Sequence, residues 1–469
     1  MTRKIGLFFI VLFLCTGSFR LVNAQKVALS GVAEDYAGEQ LKFHTYQDWI
    51  TETKEKLADC KVDTAGNFQV SFSIEKTTKI FLDIGVYKAY LFVEPNVNYE
   101  IVLPDKKEKT KAQKLNPYFT GFPYHIGIKK ASKGELNYQI YNYLKKQEYF
   151  FDKFEGKLNS GQVNKDSIVH VLDTFINSKN HFFREFKKYK LGGLKMTFRS
   201  GSESIKKKLF GEEPVHYRNP AYMELFNNLY ENYYKELFSE YGYLVHYLVN
   251  RKRSYYAIDT LMQKNSLLSS NPQLRKLVMI KGLYDAYASS EFSKKSVLAM
   301  LDSVPHYDSI PEHRVILKNI KQELTRLQVG KPAPDFCLYD RDSSMVCLED
   351  FKGEYVYLGF CNSMNYTCNR HYKILKNLYK QHKKHFKIVI ISNVPEHYDM
   401  KKFAEHYDYQ WTFLHFGNQP EVMEKYGIEV MPTYFFIGKD GKLILSPAPA
   451  PSEKVEWKIY REMKGRGDL

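Results

Sequence analysis

Apolar and polar residues alternate with a period of two in the part of the chain that follows residue 24. The clearest case is Asn67–Ile74, where every second residue is apolar and a turn-forming segment, Asp63–Gly66, comes directly before it. Such alternation is typical of a strand with one buried face. Further strands are predicted at Val27–Val32, Gln40–Tyr46, Lys79–Ile84, Ala89–Val93 and Tyr99–Leu103. Short strands at this spacing predict a β-sandwich over residues 25–110.

The period of the apolar residues becomes helical in the middle of the chain, which we assign to a helical region over residues 111–327. Residues 136–158 and 168–186 place apolar side chains largely on one face and are separated by Ser160–Gly161, so a helical hairpin is predicted. The Gly-, Ser- and Lys-rich segment 191–208 is predicted to be a loose connection. Further helices are predicted at Pro220–Tyr241, Tyr243–Asn250, Ala257–Lys264, Pro272–Tyr287, Lys294–Ser303 and Glu312–Leu327. The many tyrosines here could line a ligand cleft, but their helical spacing favours packing between helices.

A run of strand-forming residues from Tyr355 leads into a short polar loop that ends at Cys368. A helix is predicted directly afterwards, over residues 369–385. The side chains of the loop would then lie at a helix N-terminus, where the helix dipole favours a thiolate.

Two further stretches surround this strand and loop. Val329–Phe336 and Leu348–Gly353 precede it, and Tyr426–Thr433 follows it, with a strand and a turn behind. In this order they resemble the opening hairpin and the cis-proline loop of TlpA/ResA-like thioredoxin domains, which are extracytoplasmic thiol-disulfide oxidoreductases. The resemblance implies a thioredoxin-like fold, a central sheet flanked by helices, over residues 328–469. The turn at residues 63–68 likewise resembles the β-domain that often precedes such domains.

The loop departs from the family's Cys-x-x-Cys motif. Alignment on that motif places Asn365 at the attacking cysteine and Cys368 at the resolving cysteine, and Gly359 lies where many thioredoxins keep a buried acid. An amide cannot form the mixed disulfide through which thiol exchange proceeds, because that step needs a thiolate. The resemblance also implies that Met431–Thr433 contacts substrate. We therefore predict a degenerate active site.

Three functional hypotheses follow. In the first, the chain is an oxidoreductase with altered thiol chemistry at Cys368, alone or together with Cys361. In the second, it binds an extended peptide or an envelope protein through the Pro432 loop by strand addition, without a covalent step. In the third, the C-terminal domain is purely structural and packs the other two regions together.

Residues 1–24 have a basic start, a short apolar run and the ending Val22–Ala24, which is typical of a secretory signal peptide. The apolar run is short for a membrane span, so we favour a periplasmic or otherwise extracytoplasmic protein without a transmembrane segment in the mature chain over one held by an uncleaved anchor. The formal net charge is +16, and loss of Arg3, Lys4 and Arg20 with the signal leaves +13. The lysines are scattered and no nucleic-acid-binding motif accompanies them, so solvated basic faces are favoured and no nucleic acid partner is expected.

The chain after residue 24 contains five cysteines, so at least one is unpaired in a monomer. Cys337 and Cys347 flank a short loop symmetrically, and they are either a structural disulfide across a hairpin or two small core thiols. No pair of histidines has the spacing of a zinc site, and His371, His382 and His385 are interpreted as surface residues. The sequence predicts neither a metal nor a cofactor.

Overall fold

The computed structural model of the chain describes residues 25–116, 118–158, 163–198, 201–211, 213–417 and 419–468. The predicted signal peptide and the predicted break at Ser160–Gly161 lie outside the described residues. Across the parts that are described, no helix is both long enough and apolar enough to cross a bilayer.

The N-terminal region consists of two sheets. Its strands are β1 (Gln25–Val32), β2 (Gln40–Tyr46), β3 (Lys54–Lys61), β4 (Asn67–Ile74), β5 (Thr78–Ile84), β6 (Tyr87–Val93), β7 (Asn98–Val102), β8 (Phe122–His125) and β9 (Gly127–Ile128). One sheet has the order β4-β1-β7-β9 and the other β3-β2-β5-β6-β8. Side chains from both sheets, such as Leu29 and Leu82, form one buried cluster, as in a sandwich. Because β8 and β9 belong to these sheets, the β-structure continues to residue 128, past the predicted boundary at residue 110.

The middle region is helical. Its helices are α1 (Lys111–Leu115), α2 (Leu136–Leu158), α3 (Lys165–Thr174), α4 (His181–Thr197), α5 (Ser202–Phe210), α6 (Pro220–Leu229), α7 (Tyr233–Tyr241), α8 (Tyr243–Tyr247), α9 (Tyr255–Met262), α10 (Ser266–Ser270), α11 (Pro272–Ala288), α12 (Lys294–Ser303) and α13 (Pro311–Thr325). A π-helical turn at Leu248–Lys252 follows α8. Tyr222, Tyr230 and Tyr234 are buried in the core of this region, which confirms for them the interpretation as packing residues.

The prediction of a loose connection over residues 191–208 is wrong. Helix α4 continues to Thr197, and α5 begins at Ser202. Gly192 lies so close to Leu209 and Leu225 that a Cβ atom there would be 2.5 Å and 2.6 Å from their methyl carbons. Gly192 therefore permits close helix packing. The residue composition of the segment cannot distinguish this role from that of a glycine in a flexible linker.

The C-terminal region has the predicted thioredoxin-like arrangement. Its strands are β10 (Cys337–Tyr339), β11 (Met345–Cys347), β12 (Val356–Cys361), β13 (Lys387–Ser392), β14 (Thr412–His415), β15 (Thr433–Ile437) and β16 (Leu443–Leu445), and its helices are α14 (Tyr366–His382), α15 (His397–His406), α16 (Pro420–Lys425) and α17 (Val455–Gly465). The central sheet has the order β14-β13-β12-β15-β16. Strand β12 is buried along its whole length, and a separate apolar cluster covers each face of the sheet. The three-part fold is confirmed.

Polar contacts join the three regions. Asp48 Oδ2, in a loop of the β-region, accepts a 2.8 Å hydrogen bond from Asn319 of α13. The Asn393 side chain of the C-terminal region donates a 3.0 Å hydrogen bond to the carbonyl of Leu115, whose side chain packs on the C-terminal core. The linker helix α1 is thus tied to the thioredoxin-like region.

Candidate functional site

Strand β12 and helix α14 are joined by the loop that carries the predicted site. Asn365 is the N-cap of α14, and its Oδ1 accepts hydrogen bonds from the amides of Thr367 at 2.9 Å and Cys368 at 3.1 Å. An N-cap oxygen satisfies amides that have no partner within the helix. Asn365, which the alignment on Cys-x-x-Cys predicts at the nucleophile position, is thus the residue that begins the helix.

The other end of the Asn365 amide group reaches the loop before β15. Its Nδ2 donates to the carbonyl of Met431 at 3.3 Å, and the Met431–Pro432 peptide bond is cis. One residue earlier, the carbonyl of Val430 accepts a 2.6 Å hydrogen bond from the hydroxyl of Thr433. The structure thus brings together the predicted residues 365, 368 and 431–433. The carbonyls of Val430 and Met431 both accept hydrogen bonds from side chains of the same chain.

Cys368 lies in the first turn of α14 and is fully buried. Its sulfur accepts a 3.3 Å hydrogen bond from the amide of Asn362 and another from the thiol of Cys361. Cys361 is also fully buried, at the end of β12, and its sulfur lies 3.3 Å from the Tyr434 hydroxyl. The sequence left open whether Cys361 and Cys368 form a bridge, and in the structure both are free thiols.

The two thiols differ in acidity. The hydrogen bond from Cys361 lowers the pKa of Cys368, helped by the amide of Asn362, although burial acts in the opposite direction. Burial raises the pKa of Cys361 well above its usual range, and the neighbouring Cys368 adds to that effect. Cys368 is therefore the more acidic thiol, but its sulfur is closed off from any partner in solution.

Tyr434 occupies the place where the family resemblance suggested a buried acid. It pairs with Gly359 across β12 and β15, and a Cβ atom on Gly359 would lie 2.7 Å from its ring. The Tyr434 hydroxyl is 3.0 Å from Nδ1 of His371, whose Nε2 is 3.1 Å from the Ser452 hydroxyl. His371 is only 6% exposed, so its interpretation as a surface residue is wrong. It lies on the buried face of α14, one turn after Cys368, where these two hydroxyls satisfy its ring.

Three large apolar side chains are exposed around the Asn365–Met431 contact. Met364 and Tyr366, on either side of Asn365, are 68% and 77% exposed, and Val430, next to Met431, is 71% exposed. We call these three residues the loop patch. Isolated exposed apolar residues are common, whereas these three flank the two residues of one contact. The sequence contains no periodic signal for this patch, because Met364 and Val430 lie in loops and Tyr366 is the first residue of α14.

Cys337 and Cys347 are bonded to each other in the structure. They face each other in the β10–β11 hairpin, with Cα atoms 4.0 Å apart and sulfurs 2.02 Å apart. This hairpin packs on a different apolar cluster from the one that contains Cys361 and Cys368. The disulfide thus links the two strands of the first hairpin of the C-terminal region and is not part of the loop site.

Comparison with known proteins identifies the C-terminal region. Residues 329–446 match the AhpC/TSA family. Thiol-disulfide oxidoreductase ResA of Bacillus thuringiensis subsp. konkukian is 30% identical over 120 residues, which cover 25% of this chain and 69% of that protein. ResA of Geobacillus thermodenitrificans is 32% identical over 129 residues, which cover 27% and 74%. The chain belongs to the ResA family.

Solved structures also match the ResA-like region. The thioredoxin domain of a thiol-disulfide oxidoreductase from Bacteroides vulgatus is 23% identical, with a TM-score of 0.27, and the match covers 29% of this chain and 96% of that one. A thiol-disulfide oxidoreductase from Bacteroides fragilis is 22% identical, with a TM-score of 0.26, and the match covers 28% and 99%.

Proposed function

We propose that this ResA-like protein is exported and holds an extended peptide segment at the loop patch without exchanging disulfides. The observation that carries the proposal is the side chain of Asn365. It occupies the nucleophile position, caps α14 and donates to the Met431 carbonyl. An amide with both ends engaged in structural hydrogen bonds cannot attack a disulfide.

The remaining thiols do not supply a substitute nucleophile. Thiol–disulfide exchange begins with the attack of an accessible thiolate on a disulfide sulfur. Cys361 and Cys368 are both 0% exposed, and Cys368 lies behind the capped helix turn. A lowered pKa at Cys368 therefore does not by itself provide reactivity toward a partner protein.

The loop before β15 offers groups for strand addition. Among the residues that the structure describes, the amides of Val430 and Met431 donate no hydrogen bond, and the Met431 carbonyl is held only by the 3.3 Å bond from Asn365. An extended peptide could accept from these amides, and its apolar side chains could cover the loop patch. The partner we propose is accordingly an extended, apolar segment of another protein.

Export is part of the same proposal. The signal-like residues 1–24 support it, and the disulfide between Cys337 and Cys347 fits an oxidising compartment. Cell fractionation with an antibody against the chain tests this point, and recovery in the cytoplasm with residues 1–24 retained would refute it.

Peptide binding is tested with the mature full chain and a labelled insulin B chain whose cysteines are carboxymethylated. We expect saturable binding in fluorescence anisotropy that Tyr366→Ala and Val430→Asp each weaken by about tenfold, a loss of about 1.4 kcal/mol. The matched control is Tyr398→Ala, because Tyr398 is 60% exposed on α15 away from the loop. Equal binding by all variants would refute the proposal.

A second assay separates binding from redox chemistry. With dithiothreitol as the reductant, we expect the wild-type chain to give no reduction of insulin disulfides beyond that by dithiothreitol alone. Turnover at a rate that Cys368→Ser abolishes would instead establish the altered-thiol oxidoreductase. The structural-domain hypothesis is supported by the Asn393–Leu115 contact. It would be favoured if no peptide binds while Asn393→Ala lowers the melting temperature.

A further inference from the structure

A cavity of about 610 Å³ with several charged side chains in its lining lies between the β-region and the helical region. Lys76 and Glu94 line it from the β-region, and His181, Glu185 and His216 line it from the helical region. The cavity is distant in the fold from the loop patch of the ResA-like region. Its charged and imidazole side chains suggest that it binds a polar or ionic species rather than an apolar one.

Two of the lining residues, Glu185 and His216, lie next to a second carboxylate, that of Glu213. One ligand atom each of Glu185, Glu213 and His216 lies within 4.8 Å of the other two. Glu185 Oε2 and His216 Nε2 are 3.6 Å apart, which is longer than a hydrogen bond. Three atoms at this separation can surround one small cation.

Several buried polar atoms of this cluster lack a partner. Glu185 Oε2 and His216 Nε2 are inaccessible and make no hydrogen bond within the described part of the chain. The hydroxyls of Tyr189 and Tyr222 are likewise buried without a partner, and both rings pack against the His216 ring. Buried polar groups are nearly always satisfied, so Glu185 Oε2 and His216 Nε2, 3.6 Å apart and without a hydrogen bond, are available to ligate a cation.

The cluster is held in place by its surroundings. The side chain of Asn271 donates to the carbonyl of Glu213 at 3.0 Å and to that of Phe210 at 3.1 Å. The carbonyl of His216 accepts from the amide of Asn219, which caps α6. Glu185 lies on α4, and Glu213 and His216 lie in the loop between α5 and α6, which these hydrogen bonds hold in place. Such preorganisation is what a metal site requires.

One positive charge competes for the carboxylates. Lys188 Nζ lies 2.9 Å from Glu213 Oε1 and 3.7 Å from Glu185 Oε2. Lys188 is 29% exposed, so its flexible side chain can swing toward solvent when a cation replaces it. Two carboxylates against one ammonium leave a net negative site.

We propose that Glu185, Glu213 and His216 bind one divalent transition-metal ion of the Zn²⁺ type. Imidazole with carboxylate donors suits Zn²⁺ and its neighbours better than Mg²⁺ or Ca²⁺, which prefer oxygen ligands throughout. Three protein ligands would leave a fourth coordination position for water or a polar ligand. His181, one helical turn before Glu185, lines the same cavity and could approach the ion.

The test uses the full mature chain, stripped with a chelator and dialysed against Zn²⁺ or Co²⁺ alone. We expect one high-affinity ion per chain and a rise in melting temperature with Zn²⁺ concentration. His216→Ala and Glu185→Gln are each expected to weaken binding by about tenfold or more. Lys188→Met is expected to tighten it, because a competing charge is removed.

Controls separate this site from the thiols and from misfolding. His170→Ala, an exposed histidine on α3, should bind as the wild type does. The Co²⁺ spectrum should show ligand-field bands without a thiolate-to-cobalt charge-transfer band, which excludes Cys60, Cys361 and Cys368 as ligands. Circular dichroism of the metal-free variants should be unchanged. No uptake of either ion, or uptake indifferent to His216→Ala and Glu185→Gln, would overturn the proposal and leave ordered water as the occupant.

Discussion

Restoring the missing thiol is the sharpest test of how the loop site is understood. The substitution Asn365→Cys recreates a Cys-x-x-Cys pair with Cys368, three residues further along α14. Asn365 is the N-cap of α14, and its Oδ1 accepts a hydrogen bond from the amide of Cys368. The new sulfur would therefore lie directly before the first helical turn. We expect the variant to reduce insulin disulfides under dithiothreitol, whereas the wild-type chain does not.

The stability change can be worked out from the structure. Asn365 accepts hydrogen bonds from two amides, and loss of such a cap costs about 1 kcal/mol. A disulfide that closes a four-residue loop constrains the unfolded chain by about 2 kcal/mol. The C-terminal transition should therefore melt about 3 °C below the wild type when reduced and about 3 °C above it when oxidised. Differential scanning calorimetry in the presence and absence of reductant measures both values.

Asn365→Ser is the matched control, because serine caps helices well but supplies no thiol. It should keep the wild-type melting temperature and remain inactive. Asn365→Cys combined with Cys368→Ser should capture insulin as a mixed disulfide without turnover. If the folded Asn365→Cys variant neither forms the 365–368 disulfide, as mapped by mass spectrometry, nor reduces insulin, then position 365 is not equivalent to the attacking cysteine and the reasoning is refuted.

Three further predictions concern other parts of the chain. The buried carboxylate of Asp308 lies 2.5 Å from His313 Nδ1, and although burial alone would raise its pKa, the hydrogen bond and charge of His313 lower it overall. The ionised Asp308 therefore stabilises the folded chain above the unfolded pKa of about 3.9, and this stabilisation is lost as the pH falls through the folded pKa. Asp308→Asn should lower the free energy of unfolding by about 2 kcal/mol near pH 7. It should also make the free energy of unfolding depend less on pH in acid. Thiol titration of the denatured mature chain should count three thiols before reduction and five after it, because Cys337 and Cys347 are bonded, and five before reduction would contradict that pairing. Gly359→Ala should destabilise the C-terminal region by about 2 kcal/mol in urea unfolding, because the added Cβ would lie 2.7 Å from the Tyr434 ring and from a methyl carbon of Ile390. An unchanged urea midpoint would show that the strand can shift to make room.

The sequence predicted the elements whose periodicity is strong. The alternating strand Asn67–Ile74 and the buried strand before Cys368 were located almost to the residue, because one or both faces are packed in the core. Strand β3, Lys54–Lys61, was not predicted. It is rich in charge, has no buried residue and lies at the end of its sheet. Pairing with β2 and partial packing of Leu57, Ala58 and Cys60 on the core set its conformation, without an alternation of buried and exposed side chains.

The candidate site was predicted only where a motif fixed the spacing. Alignment on Cys-x-x-Cys located residues 365 and 368, but it could not show that Asn365 also reaches Met431, 66 residues away. The same limit applies to Glu185 and His216, whose meeting depends on how α4 packs beside a distant loop. Contacts of this kind are set by tertiary packing, which leaves no local pattern in the chain.

The side chain of Asn365 links the predicted loss of disulfide exchange to the proposed binding of a peptide. A cysteine at the same position would leave the Met431 carbonyl without its partner and would make a weaker helix cap, so an asparagine improves the local structure while it removes the nucleophile. The bond to Met431 is long, at 3.3 Å, and an incoming strand can replace it without exposing a buried charge. Peptide affinity should therefore rise when only this donor is removed. Asn365→Asp keeps the capping oxygen but cannot donate to Met431, so it should bind the carboxymethylated insulin B chain more tightly than the wild type, whereas weaker binding would show that the asparagine amide contacts the peptide itself.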